Sequence, residues 1–92
     1  MNTINSVKIT YDPAKQAANL ESRGLPFDLA GELDWASAVI IEDTRKDYSE
    51  RRFRVFGHID ERLYVLVFTP RGDVMHVISF CMANGREITS YG

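Results

Sequence analysis

The C-terminal half of the chain is rich in side chains that suit phosphodiester chemistry. Metal-free RNA cleavage needs a base for the 2′-hydroxyl proton, cations to stabilise charge on the phosphorane, and an acid for the leaving 5′-oxygen. The side chains that can carry a proton are Glu50, His58, His76, Glu87 and Tyr91. The guanidinium groups that can bind phosphate in a fixed fork are those of Arg51, Arg52, Arg54, Arg71 and Arg86. These residue types occur on most proteins, so chemistry requires a fold that gathers them on one face.

No other kind of active site stands out. The sequence has no Ser-His-Asp order, no glycine-rich phosphate loop and no residues at metal-ligand spacing. Cys81 is the single cysteine and cannot form a disulfide within the chain. A lone histidine such as His76 is more often a hydrogen-bonded strand residue than a ligand. We therefore expect neither a metal nor a cofactor.

Charge is distributed unevenly along the chain. The formal net charge is only -2, which argues against strong non-specific binding to nucleic acid. Residues 1–42 carry three basic and six acidic side chains, whereas residues 43–92 carry eight basic and seven acidic ones. Six of the eight basic residues lie within positions 45–62. This basic cluster could contact phosphate, or it could be the solvated face of a strand whose charges are paired with Asp and Glu.

Length and composition indicate one ordinary globular domain over residues 1–92. The chain is 45% hydrophobic and 26% charged, which argues against disorder. No apolar run approaches the roughly 20 residues that span a bilayer, and the first six residues have no apolar signal-peptide core. With a single cysteine as well, we expect a cytoplasmic protein.

The N-terminal third predicts a strand and two helices. Residues 8–11 alternate as a short strand, and Asp12-Pro13 then begins a helix that Gly24 ends. We expect a stripe of small side chains to pack this helix on the sheet, namely Ala14, Ala17 and Ala18 with Glu21. A second helix is predicted from Pro26, with Asp28 as its cap and Phe27 contacting its first turn. Trp35 is expected in or beside the core, although it could instead stack on a base.

After residue 37 the pattern changes to strands. Apolar and alternating runs predict strands over residues 39–41, 51–56, 63–69 and 74–80, separated by polar turns at 43–49, 60–61 and 70–73. In the second strand, alternation places Phe53 and Val55 on one face, and Arg52, Arg54 and Phe56 on the other. Asn84 and Glu87 form a capping-box pattern that opens a helix ending near Tyr91. The fold class is α+β, an antiparallel meander covered on one face by helices.

Several short motifs follow one another in an order that resembles a known family. In chain order they are Tyr11-Asp12-Pro13-Ala14-Lys15 with Asn19, Gly24-Leu25-Pro26-Phe27 with Asp28 and Ala30, Glu42-Asp43, Tyr48-Ser49-Glu50-Arg51-Arg52-Phe53, Val67-Phe68-Thr69, Val77-Ile78-Ser79, and Ala83-Asn84 through Glu87 to Tyr91. Each motif alone is weak, but together they cover residues 8–91. The chain resembles the BrnT toxins of type II toxin-antitoxin systems.

That resemblance implies a fold, an activity and a partner. The fold would be RelE-like, with two N-terminal helices packed on a four- to five-stranded, mainly antiparallel sheet and a short C-terminal helix. The activity would be metal-independent RNA cleavage that inhibits translation. The partner would be a BrnA-type antitoxin, a ribbon-helix-helix DNA-binding protein, in a heterotetramer that contacts DNA only through the antitoxin. The antitoxin could bind at strand edges or on the apolar surface expected around Leu25, Phe27 and Leu29.

The resemblance and the residue chemistry together give our predicted site. The predicted catalytic residues are Glu50, Arg51, Arg52, His76, Cys81, Glu87 and Tyr91. The predicted RNA-binding residues are Arg54, Arg71 and Arg86.

Two positions depart from the family pattern. His76 stands where the family usually has arginine, and histidine can still bind phosphate or transfer a proton. Cys81-Met82 replaces a usual basic pair, and losing a phosphate-binding arginine would cost on the order of 3–5 kcal/mol of transition-state stabilisation. This copy would then be attenuated, or it would be a catalytically silent partner that binds its antitoxin and tunes transcription. Alternatively, another group such as Arg86 replaces the missing arginine.

Overall fold

The computed structural model describes residues 8–45, 47 and 49–92, and forms an α+β fold around a five-stranded mixed sheet. The elements in chain order are β1 (Lys8–Tyr11), α1 (Pro13–Arg23), a 3₁₀ helix (Phe27–Glu32), β2 (Val39–Glu42), β3 (Phe53–Ile59), β4 (Arg62–Arg71), β5 (Val74–Met82) and α2 (Gly85–Tyr91). No helix within the described ranges is long and apolar enough to cross a membrane.

The sheet order is β1-β5-β4-β3-β2. Strands β2 to β5 pair antiparallel in succession, as the short turns predict. Strand β1 instead pairs parallel with β5, with Thr10 opposite His76. Because helix α1 follows β1 directly, this pairing brings the start of α1 close to the middle of β5. The predicted polar turn at 43–49 includes Lys46 and Tyr48, which lie outside the described residues.

The two faces of the sheet bury separate apolar clusters. One cluster joins the 3₁₀ helix to the sheet and consists of Phe27, Ala30, Leu33, Val55, Leu66, Met75, Val77 and Phe80. The other consists of Phe56, Leu63 and Val65, with Cys81, Ala83 and Tyr91 packed against it. Because neighbouring strand residues point to opposite faces, Val55 and Phe56 belong to different clusters. The prediction that helices cover only one face is therefore wrong, since α2 packs on the second face.

Helix α1 begins and ends as predicted but packs with a different side. Asp12 accepts a hydrogen bond from the Ala14 amide at 2.9 Å, and Gly24 ends the helix at a φ of 73°. The predicted packing stripe of Ala14, Ala17, Ala18 and Glu21 is exposed. The inward side carries polar residues instead, and buried Asn19 binds the backbone of β5. That stripe prediction was wrong because a helix packed on a strand's backbone edge needs hydrogen-bonding groups as well as small ones.

Other local predictions differ in detail. Asp28 does not cap the second helix, because this 3₁₀ helix begins at Phe27 and Pro26 supplies no side-chain cap. Phe27 is fully buried in the core cluster, so its role is larger than the predicted contact with the first turn of the helix. It is also not part of an exposed docking surface. Trp35 lies at the edge of the core, as predicted, and its indole donates to the Ala30 carbonyl at 3.1 Å. The capping box of α2 is confirmed, with Asn84 and Glu87 exchanging two hydrogen bonds.

Strands β2 to β5 all differ from their predicted bounds, and the differences are largest for β3 and β4. Strand β3 begins at Phe53 rather than residue 51 and continues to Ile59. Strand β4 includes Pro70 and Arg71, so the turn to β5 is confined to Gly72 and Asp73. Gly72 adopts a φ of 65°, a conformation that glycine takes without steric cost.

Candidate active site

A small cavity of about 100 Å³ lies where the entry to β3 meets β4, β5 and the first turn of α1; we call it the polar cavity. Its lining is polar apart from one isoleucine and consists of Lys15, Ser49, Glu50, Arg52, Thr69, Arg71, His76 and Ile78. Four of the predicted site residues therefore share one cavity, namely Glu50, Arg52, Arg71 and His76. They come from three separate parts of the sequence, which only the sheet brings together.

The strands hold the cavity walls in place. Thr69 and His76 are cross-strand partners on β4 and β5. The buried Thr69 hydroxyl donates to the Arg51 carbonyl, which fastens the segment before β3 to β4. Thr10 on β1 lies opposite His76, and its hydroxyl is 3.0 Å from His76 Nδ1. This contact orients the imidazole and leaves Nε2 as the ring nitrogen that can exchange a proton with a ligand.

Glu50 and Arg71 form a two-pronged ion pair inside the polar cavity. Arg71 donates from Nε to Glu50 Oε2 at 3.1 Å and from Nη2 to Oε1 at 3.0 Å. The hydrogen bond from Arg71 lowers the pKa of Glu50, and the charges of Arg71, His76 and Arg52 act in the same direction. The same bond raises the pKa of Arg71. Glu50 is therefore a carboxylate at neutral pH, surrounded by cationic groups.

Arg51 points away from the polar cavity. It forms a matching ion pair with Glu42, with both bonds at 3.0 Å, and its guanidinium lies 5.1 Å from the centre of the Phe53 ring. A neighbouring cavity of about 270 Å³ contains Arg51 and Glu42 and shares part of its wall with the polar cavity through Glu50 and Arg52. Both arginines of the predicted pair therefore line this second cavity, but only Arg52 also lines the polar cavity.

Arg54 lies within β3, two residues beyond Arg52. Its guanidinium carbon is 5.6 Å from the centre of the Phe56 ring. Its Nε atom is buried and has no hydrogen-bond partner among the described residues. The Phe56 ring stacks in turn on Tyr91, with 4.0 Å between centroids and 16° between planes. Tyr91 is therefore a packing residue that ties α2 to the sheet, whatever further role its hydroxyl has.

The remaining predicted site residues lie near α2 and do not line the polar cavity. Cys81 is packed against Phe56, Leu63 and Val65, and burial raises the pKa of its thiol, so it is uncharged at neutral pH. The Glu87 carboxylate accepts a hydrogen bond from the backbone N–H of Asn84 in the capping box. Arg86 is exposed on the first turn of α2.

Lys15 lines the polar cavity and was missed as a site residue, although it belongs to the Tyr11 to Lys15 motif. Its position depends on the parallel pairing of β1 with β5, which places the first turn of α1 beside His76. A lysine three residues after a helix cap is a weak signal without that topology. Ser49 was also missed, because it lines the cavity only through the contact of its own segment with β4.

A model of one protein family matches residues 11–87, and it describes the ribonuclease toxin, BrnT, of type II toxin-antitoxin systems. The chain belongs to this family. The matched range includes every residue that lines the polar cavity. A search of curated proteins finds no significant match. The BrnT family consists of ribonuclease toxins, and membership of a type II toxin-antitoxin family implies that this chain has an antitoxin partner.

Proposed function

We propose that this BrnT-family chain is an endoribonuclease that cleaves RNA without a metal, and that the polar cavity is its active site. One observation carries the proposal, namely that Lys15, Glu50, Arg52, Arg71 and His76 line a single small cavity. Cations, a carboxylate and an imidazole together supply the groups that metal-free cleavage needs. The five-stranded sheet and its helices support the proposal of a RelE-like fold. We place the action of the enzyme in the bacterial cytoplasm, where its RNA substrate is found.

The cations of the cavity bind the scissile phosphate in this proposal. Arg71 and Arg52 present planar forks that match two phosphate oxygens, and Lys15 adds a compact charge. Charge on the phosphorane grows as the 2′-oxygen attacks, so these cations stabilise the transition state more than the ground state. Arg54 and Arg86, outside the cavity, are proposed to contact the flanking RNA backbone.

Proton transfer is assigned to the two remaining groups. Glu50, which is ionised, accepts the 2′-hydroxyl proton as the 2′-oxygen bonds to phosphorus. His76 donates a proton from Nε2 to the leaving 5′-oxygen as the P–O5′ bond breaks, while Thr10 holds Nδ1. The products are a 2′,3′-cyclic phosphate and a 5′-hydroxyl.

The assay is cleavage of an end-labelled RNA oligonucleotide by the purified chain in the presence of EDTA. We expect cleavage with EDTA, products that end in a 2′,3′-cyclic phosphate, and no cleavage of the same sequence in 2′-O-methyl RNA, which lacks the nucleophile. Activity that EDTA abolishes would contradict metal independence, and cleavage of the 2′-O-methyl strand would contradict the 2′-hydroxyl mechanism.

A second candidate, an attenuated or silent copy, is favoured by the surroundings of Cys81. Its uncharged thiol lies in an apolar cluster where the family pattern has arginine, and neighbouring Met82 is 50% exposed. If the basic pair normally assists the reaction, the double variant Cys81→Arg, Met82→Lys will cleave RNA faster than the natural sequence. An unchanged rate in a variant that melts as a folded protein would rule attenuation out. Tight antitoxin binding without any RNA cleavage would leave a role in transcriptional autoregulation.

We further propose that a BrnA-type antitoxin binds the chain in a heterotetramer, and that β2 is part of its docking surface. Strand β2 lies at one end of the sheet, and Val39 and Ile40 on it are 40% and 52% exposed. An edge strand with exposed apolar residues can accept an added strand. Co-purification with the antitoxin followed by light scattering tests the stoichiometry. Val39→Lys with Ile40→Lys is expected to weaken the complex, and an unchanged affinity would move the surface elsewhere.

A further inference from the structure

The Arg71 fork is already filled by a side chain of the same molecule. Both of its bonds to Glu50 use the parallel geometry with which guanidinium binds phosphate oxygens. Among the residues that line the polar cavity, Glu50 is the one carboxylate, and it shares the cavity with Lys15, Arg52 and His76 as well as Arg71. The carboxylate thus occupies the position that an anionic ligand of this cavity would take.

The pair is built so that it can open. The side chains of Arg71 and Glu50 are 50% and 47% exposed, and exposed ion pairs contribute little to stability. Turning the Glu50 side chain breaks its two hydrogen bonds to Arg71 and no backbone hydrogen bond of the sheet. A phosphate that binds Arg71 and Lys15 together can therefore replace a carboxylate whose two side-chain hydrogen bonds both come from Arg71.

We propose that Glu50 is a resident competitor for the phosphate position of Arg71, and that a bound RNA phosphodiester displaces it. This rests on the proposed function, because the polar cavity must be the place where RNA binds. Displacement has a chemical consequence. The Arg71 hydrogen bond is the main cause of the lowered pKa of Glu50, so its loss makes the carboxylate a stronger base. The base is then activated when the phosphate beside the 2′-hydroxyl is in place.

The chain contains a matched control for this exchange. Glu42 and Arg51 form a pair of the same geometry, nine residues apart, outside the polar cavity. Glu42→Gln and Glu50→Gln each remove one negative charge and release one arginine. Only the second substitution releases an arginine inside the polar cavity.

The experiment measures the binding of a 2′-O-methyl RNA oligonucleotide by fluorescence anisotropy to the natural chain, E50Q, E42Q and the double variant E50Q/R71Q. We expect E50Q to bind about two- to fivefold more tightly, the range that loss of one exposed competing ion pair corresponds to. E42Q is expected to bind within about 1.5-fold of the natural chain, and R71Q in the double variant should remove the gain. On unmodified RNA, E50Q should cleave at least ~100-fold more slowly, because the base is gone.

Weaker binding by E50Q would overturn the inference, since Glu50 would then position Arg71 rather than compete for it. Equal gains in RNA affinity for E50Q and E42Q would also overturn the inference, since the effect would then come from net charge. Failure of every variant to bind the oligonucleotide would overturn it as well. Carboxyl ¹³C NMR of the natural chain provides a second measurement, in which adding the oligonucleotide must raise the pKa of Glu50. If the binding results are as expected but the natural chain does not cleave RNA, the proposed function alone is wrong. If the natural chain cleaves RNA but E50Q does not bind more tightly than E42Q, the inference alone is wrong.

Discussion

Replacing Asn19 by alanine tests how α1 is fastened to the sheet. The Asn19 amide donates to the Phe80 carbonyl at 2.8 Å and to the Leu25 carbonyl at 2.9 Å, and its oxygen accepts from the Phe80 amide at 3.2 Å. Phe80 lies on β5 beyond the residues that pair with β1. The Asn19 side chain therefore hydrogen-bonds the β5 backbone at a point that β1 does not reach. The site is buried, with Asn19 only 8% exposed.

The expected loss follows from the groups left without partners. A buried polar group without a hydrogen bond costs about 1–3 kcal/mol, and Asn19→Ala strands the amide and the carbonyl of Phe80. Water entering the vacated space restores some of these bonds, so we expect a loss of about 2–4 kcal/mol. A chain of 92 residues has roughly 5–14 kcal/mol of stability in total. The variant should therefore fold, but unfold at a clearly lower denaturant concentration.

The assay is urea denaturation followed by circular dichroism. Ser22→Ala is the matched control on the same helix, because its hydroxyl donates to the Ala18 carbonyl at an exposed position. We expect this control to change stability by less than about 0.5 kcal/mol. A loss below about 0.5 kcal/mol for Asn19→Ala would refute the reasoning, since α1 would then be held by other contacts.

Three further predictions concern charge and packing. His76→Gln should slow RNA cleavage by about 10²–10⁴-fold without lowering stability by more than about 1 kcal/mol, and a fully active variant would remove His76 from the mechanism. The folded pKa values of Glu42 and Glu50 are both lowered, so the native state binds fewer protons than the unfolded state and loses stability as pH falls from about 4.5. Acid denaturation of the double variant E42Q/E50Q should accordingly depend less on pH, and an unchanged profile would contradict these pairs. Tyr91→Phe should keep the stack on Phe56 and the melting temperature, whereas Tyr91→Ala should cost about 2–4 kcal/mol; a cleavage loss in Tyr91→Phe alone would give the hydroxyl a chemical role.

Much of the fold could be predicted because its signals are local. Asp12-Pro13, Gly24 and the Asn84 to Glu87 box act within one helical turn, so sequence alone locates those helix ends. The alternation through β3 likewise placed Val55 and Phe56 on opposite faces. The parallel partner of β1 could not be predicted in this way, because strand pairing across 60 or more residues has no local signature. Helix α1 was misread for a related reason, since Asn19 faces inward to bind a backbone that only the fold brings near.

The candidate site shows the same division. Residue chemistry pointed to Glu50, Arg52, Arg71 and His76, and the structure brings these four to one cavity. Residue chemistry did not separate Arg51 from Arg52, although the alternation of a strand could have indicated that neighbouring side chains face opposite sides. Lys15 was out of reach, because it joins the cavity only through the pairing of β1 with β5. Cys81, Glu87 and Tyr91 followed from motif order, which carries no information on whether residues near α2 reach the cavity.

The most direct test of the polar cavity compares two arginines that each bind a glutamate, of which Arg71 lines the cavity and Arg51 does not. Arg71→Lys and Arg51→Lys both keep a positive charge and both remove a fork that binds a glutamate. In single-turnover cleavage of one RNA oligonucleotide, we predict that Arg71→Lys is slower by about 10²-fold and that Arg51→Lys stays within about threefold of the natural chain. Equal losses, or a larger loss for Arg51→Lys, would contradict the assignment of the polar cavity as the active site.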